Sequence, residues 1–170
     1  MQKHNIFLAL AGLKPVSEAS SGHFITTGHG RRLVPDDPAE VTLLLHQLGL
    51  RYRIKRKPHY LLVQVSLSEE RLEEYEVLDE LSSPRETYTE AGRLFGYPKT
   101  AVEAFAAAHT TDRDVRLPRL EQDVVERAAG IPETADVDFW FSRDHWREEL
   151  PVVKNWCCVL RQYGFLTRSS

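Results

Sequence analysis

Two runs of alternating residues stand out in the first half of the chain. In one, Tyr52 and Ile54 alternate with Arg51, Arg53 and Lys55; in the other, Leu61, Val63 and Val65 alternate with Tyr60, Leu62 and Gln64. A period of two sends successive side chains to opposite faces of a strand, and Arg56-Lys57-Pro58-His59 between the runs is turn-forming, so the pattern predicts a β-hairpin. Upstream, Val41, Leu44, Leu45 and Leu48 recur at the i, i+3, i+4, i+7 spacing of a helix that buries one stripe. Asp37-Pro38-Ala39-Glu40 supplies its start, with an acidic N-cap, proline at the first helical position and glutamate closing a capping box, and Gly49 supplies its stop. Phe24-Ile25-Thr26-Thr27 reads as a short strand running into a loop at Gly28-His29-Gly30. The apolar stretch Asn5 to Leu13, closed by Pro15, fits either a short helix or a first strand.

Beyond Ser66 the periodicity becomes helical. Leu72, Tyr75, Leu78 and Leu81 mark one helix capped by Ser66 or Ser68, and Ser83-Pro84-Arg85-Glu86 starts another that carries Tyr88, Ala91, Gly92 and Phe95 to a stop at Gly96. Pro98 opens a helix with Val102, Phe105, Ala106 and His109 on one face. Leu117, Leu120, Val124 and Ala128 mark a further one, closed by Gly130 and Pro132, and Val153, Trp156, Cys157 and Leu160 form the last, closed by Gly164. The expected fold class is therefore α+β: a small antiparallel sheet built as strand, helix and hairpin, packed with a mostly helical C-terminal half. We expect one domain over 1–166, with an α/β portion over 1–66, a helical portion over 67–166, and a tail at 167–170.

Charge sharpens that division. The net charge of −3 conceals nine Lys and Arg against four Asp and Glu in residues 1–66, a surplus of five positive charges. Residues 67–170 hold thirteen against twenty-one, a surplus of eight negative charges. The basic portion either docks on the acidic one or faces an anionic partner. A hydrophobic fraction of 42% over 170 residues is enough to bury a core without staples. No apolar run reaches the roughly 20 residues of a membrane span, and the early apolar stretch lacks signal-peptide grammar. With adjacent Cys157 and Cys158 as the only cysteines, a cytoplasmic protein with no membrane partner is expected.

One block carries a resemblance. Gly92-Arg93-Leu94-Phe95-Gly96-Tyr97-Pro98-Lys99-Thr100-Ala101-Val102-Glu103-Ala104-Phe105 resembles a segment of an uncharacterised prokaryotic family in which a Gly-aromatic-Pro turn precedes a cysteine pair and an aliphatic-acid-Ala-Phe run. Thr100 and Ala101 stand where that pattern has its cysteines, so the resemblance implies a helix-turn-helix pair without thiol chemistry.

The richest candidate chemistry lies in the hairpin. Same-face residues of a strand are about 6.6 Å apart, so Arg51, Arg53 and Lys55 form a row of cations, extended at the turn by Arg56, Lys57 and His59, with Tyr60 placed to stack on a base. Arg31 and Arg32, after the Gly28 loop, add two more cations beside backbone amides able to cradle an anion. Arg31, Arg32, Arg51, Arg53, Lys55, Arg56, Lys57 and Tyr60 are thus the expected anion-binding set, for nucleic acid or an acidic protein surface. An edge strand guarded by cations explains the same residues without a ligand.

The alternative is a small enzyme with a pocket between sheet and helices lined by His23, His29 and His59. Asp144, His145, Glu148 and Glu149 add a cluster in which His145 and Glu149, one turn apart, match an acid/base pair or an ordinary solvated helix start. No metal-ligand spacing, nucleophile elbow or cofactor motif is present, so no metal and no cofactor is expected. Cys157 and Cys158 diverge by about 100° on a helix, which sends one to the core and the other away.

Overall fold

The computed structural model describes residues 3–27, 30–81, 83–111, 115–131 and 139–164; the expected tail at 167–170 falls outside them. The fold is α+β, with a four-stranded antiparallel sheet early and a helical C-terminal half. The chain divides into two compact units, 1–76 and 77–170.

In the first unit, α1 (Lys3–Leu10) leads into β1 (Ser17–Thr27) and β2 (Gly30–Pro35), followed by α2 (Pro38–Gln47), β3 (Arg51–Arg56), β4 (Leu61–Ser66) and α3 (Glu69–Glu76). The Asn5 to Leu13 stretch is thus helical as far as Leu10. Asp37 caps α2 by accepting from the Ala39 amide at 2.9 Å, with Pro38 at its first position, as the sequence grammar requires. Strand order is β2-β1-β4-β3, antiparallel throughout.

The register assigns each side chain to a face. Ala19 opposes Val63 and Ile54 opposes Val63 from the other side, so Ala19, Val63 and Ile54 share one face with Leu61, Val65 and Tyr52. That face packs on Ile6 and Ala9 of α1 and on Val41 and Leu45 of α2. Glu18, Gln64 and Arg53 form the matching row on the opposite face, which α3 covers with the fully buried Leu72. Coverage on both faces explains why β4 is buried at nearly every position and not only at its odd ones.

The second unit holds a 3-10 turn (Val77–Glu80) and α4 (Pro84–Leu94), α5 (Lys99–Thr111), α6 (Arg119–Ala128) and α7 (Trp146–Gln162). The helix expected to run from Ser66 to Leu81 ends at Glu76, and α3 belongs to the sheet unit. Gly49, Gly96, Gly130 and Gly164 all follow helices in the left-handed conformation, as expected for stops. Gly92 has a different duty: a Cβ there would fall 2.7 Å from Val102 Cγ2, so its missing side chain lets α4 and α5 cross closely.

The α6 stripe differs from expectation. Leu120 is 81% and Val124 65% exposed, whereas Gln122 is 1% exposed. The reason is a backbone need: Gln122 Nε2 donates to the Phe139 carbonyl at 3.0 Å, and the Phe141 amide donates to Gln122 Oε1 at 3.3 Å. A buried peptide group without a partner costs about 1–3 kcal/mol, so the amide side chain faces inward and the aliphatic stripe does not.

On α7, Trp156, Cys157 and Leu160 are buried and Cys158 is exposed, which is the divergence expected of adjacent helical positions. Burial pushes the Cys157 thiol up to about 11. We therefore expect one thiol, Cys158, to be alkylated in the folded protein at pH 8 and the second only after denaturation. Two equally fast thiols would place α7 in the wrong rotation.

Candidate anion-binding face

Strand β1 has eleven residues and its partners six each. Ser17–Ser21 pairs with β4, whereas Gly22–Thr27 pairs with β2. The strand therefore changes partner between Ser21 and Gly22, and its second half leaves the sheet as a two-stranded ribbon with β2. A Cβ on Gly22 would fall 2.8 Å from the Val34 carbonyl oxygen and 3.3 Å from that of His59. Glycine is needed there because backbone from two hairpins closes on it.

That junction decides where the cations sit. Because Ser21 opposes Leu61, the first residue of β4, the ribbon runs past the β3–β4 turn. Arg31 opposes Thr26, four residues beyond Gly22 and so about 13 Å along the ribbon. Arg31, Arg32, Lys55, Arg56 and Lys57 thus occupy one end of the unit. All five are exposed, and none takes part in an ion pair among the described residues. Phe24, 60% exposed on the ribbon, carries the Arg31 guanidinium 4.8 Å from its ring centroid. Sequence reasoning missed β2 and placed Arg31 and Arg32 after a loop; the loop's own Gly28 and His29 lie outside the described residues.

Three expected members are not among them. Arg53 donates to Glu69 and, at 3.1 Å, to Glu76, both on α3. Beside it on the same face, Gln64 and Tyr75 both donate to Glu18 Oε1, at 2.8 Å and 3.0 Å. The row Arg51, Arg53, Lys55 is therefore broken at its centre, because α3 lies on that face. Arg51 is exposed but opposes Ser66 at the far end of the strand from the turn. Tyr60 is half-buried and its carbonyl accepts from Lys57, closing the turn at 2.9 Å.

At the ribbon's root, Ser21 Oγ donates to Asp36 Oδ2 at 2.6 Å, and His23 Nδ1 lies 2.8 Å from Asp36 Oδ1. Serine, aspartate and histidine meet with the carboxylate in the middle, so the imidazole does not touch the hydroxyl and cannot act as its base. The contact anchors the ribbon. Burial opposes ionisation of Asp36, but the hydrogen bonds to Ser21 and His23 outweigh it and hold the carboxyl below its ordinary value.

Of the histidines expected to line a pocket, His23 lies against Asp36 at the ribbon's root, His59 is exposed at the turn and His29 lies outside the described residues. A cavity of the second unit, between α4, α5 and the Phe139–Trp140 segment, has no histidine in its lining. No group of three or more His, Cys, Asp and Glu among the described residues is placed to hold a metal. His145 faces Glu148 at 3.4 Å, not Glu149. Glu149 is fully buried and accepts from the Ser142 amide at 2.7 Å, the Ser142 hydroxyl at 2.5 Å and the Thr100 hydroxyl at 3.2 Å. It is neither solvated nor part of an acid/base pair. No described helix is long and apolar enough to cross a membrane. No family model, curated protein or solved structure matches the chain.

Two outcomes test the ribbon's root. Gly22→Ala should destabilise the first unit by about 1–3 kcal/mol, because the two nearest atoms that meet the new methyl are backbone carbonyl oxygens, and a denaturant midpoint equal to wild type would contradict the junction. For Asp36 the sign follows from its lowered value: its contribution is complete above the ordinary 3.8 and is lost as pH falls through the folded value. Stability measured between about pH 5 and 2 should therefore fall less steeply in Asp36→Asn than in wild type.

Proposed function

We propose that the first unit is a binding module for an anionic polymer, and that single-stranded nucleic acid is held across its two adjacent hairpins. Arg31 and Arg32 on the ribbon and Lys55, Arg56 and Lys57 at the neighbouring turn neutralise phosphates. The observation that carries this reading is the Gly22 junction, which brings two hairpins to one end where five exposed cations have no ion-pair partner among the described residues. Phe24, exposed beside Arg31, favours nucleic acid over an acidic protein surface. An aromatic ring flanked by a guanidinium offers a base both stacking and cation contact, whereas an acidic side chain gains only the charge. Arg53 has no part in the proposed contact, since its guanidinium is already engaged by two glutamates.

The test is a salt titration of a labelled single-stranded oligonucleotide with the full chain. Five phosphate contacts predict a slope of log K against log salt of about −3.5. Arg31→Glu with Arg32→Glu, and separately Lys55→Glu with Lys57→Glu, should each weaken binding by about tenfold or more. Their melting points should stay unchanged, since the substituted side chains are exposed. Binding that ignores salt, or survives both reversals, would refute the module. Competition by polyglutamate as strong as by the oligonucleotide would assign the face to an acidic protein instead.

A further inference from the structure

The helical unit carries a second feature that anion binding does not use. A cavity of about 240 Å³ opens between α4, α5 and the Phe139–Trp140 segment. Gly92, Ala101 and Val102 line it and are buried, whereas Tyr88 and Trp140 line it and are exposed. It is therefore deepest at the α4–α5 crossing and opens to solvent beside those two rings. An apolar cavity of about 150 Å³ accommodates benzene, so this one has room for a larger ring system.

The walls are aromatic and are held from outside the cavity. Tyr97 meets Phe95 and Phe139 edge-on, with centroids 6.0 Å and 5.7 Å away. Phe139 in turn packs edge-on against Phe141 and Trp156, at 5.1 Å and 5.9 Å, and both of those are fully buried and outside the lining. A guest thus enters a preformed space and does not have to order the walls it touches. Walls made of ring edges and faces suit a flat ring better than a saturated or flexible one, because offset and edge-to-face contacts add to the burial of its surface.

The lining also decides the charge of the guest. Among the described residues that line the cavity none is charged, and their side chains offer only the hydroxyls of Tyr88 and Tyr97 and the indole N–H of Trp140 as polar groups. An ionised guest would shed its water there without meeting a counter-ion. From cavity size, aromatic walls and uncharged lining, we propose that the cavity binds a neutral, planar aromatic molecule of two fused rings.

The probe is 2-naphthol, titrated calorimetrically into the full chain while the Val102 methyl and Trp140 indole N–H resonances are followed. Saturable binding that shifts both resonances is expected. Decahydro-2-naphthol keeps the carbon skeleton and the hydroxyl but not the flat ring, and should bind about fivefold more weakly. The anion 2-naphthoate keeps the ring and adds a charge, and should bind more weakly by about tenfold or more. Ala91→Leu, which fills the cavity, should abolish 2-naphthol binding. If that variant fails to fold, nuclear Overhauser contacts from the probe to the Val102 methyls locate the site in the wild-type chain. No saturable binding, binding that leaves both resonances unmoved, or binding of the saturated or the anionic analogue as tight as that of 2-naphthol would each overturn the proposal.

Discussion

One strand has to serve two partners, and the first unit is arranged around that constraint. Strand β1 is nearly twice as long as β2 or β4, so it cannot be paired along its whole length by either. It gives its first five residues to β4 and its last six to β2. Gly22 makes the change possible, since any side chain there would meet the carbonyl of Val34 or of His59. The consequence is a ribbon without covering layers, in which Phe24 and Ile25, on opposite faces, are both exposed. A two-stranded ribbon is marginal on its own. Its root is therefore tied by Asp36, which reaches back to Ser21 in the sheet and to His23 in the ribbon.

Charge is sorted by the same geometry. Residues 1–66 have an excess of five positive charges, but α3 adds five glutamates and one arginine, leaving the unit with ten basic and nine acidic residues. Near-neutrality overall does not mean neutrality everywhere. Glu69 and Glu76 meet Arg53 midway along the edge strand β3, one row from Lys55 and further from the turn. Exposed ion pairs each contribute little to stability; Arg53, two-thirds shielded and bound by two carboxylates, instead fixes how α3 lies on the sheet. The cations at the turn and on the ribbon have no ion-pair partner among the described residues, while Glu69, Glu76 and Glu74 of α3 are engaged by Arg53 and Arg71.

Much of this was legible in the sequence, and the failures have physical causes. The α2 start, the β3–β4 hairpin and the glycine stops follow from local chemistry, and local chemistry is what a sequence displays. Strand β2 was hidden because Gly28-His29-Gly30 and Pro35 read as loop punctuation. Yet Phe24-Ile25-Thr26-Thr27 and Arg31-Arg32-Leu33-Val34 flank a glycine-bearing tip, which is the signal of a hairpin when both sides are read together. The role of Arg53 was invisible for another reason. Its partners lie sixteen and twenty-three residues away, and the alternation that marks a strand face says nothing of what covers it. Gln122 and Glu149 show the same limit: a polar residue on a helix reads as solvated until a distant backbone segment claims it.

That last point bears on the second unit's architecture. Residues 139–142 form no regular strand beyond a single bridge between Arg116 and Ser142, yet Phe139, Phe141 and Ser142 are buried. Their peptide groups need partners, and side chains supply them: Gln122 from α6 takes Phe139 and Phe141, and Glu149 from α7 takes Ser142. The Leu117 amide adds a bond to the Phe141 carbonyl at 2.7 Å. A segment held at so many points presents Phe139 and Trp140 as a fixed wall, while Gly92 brings α4 and α5 together as the opposite one. The cavity is thus bounded by two independent devices, a close helix crossing and a clamped loop. Apolar space between separately fixed walls cannot collapse by repacking one of them, which is why the cavity stays open beside the exposed Tyr88 and Trp140.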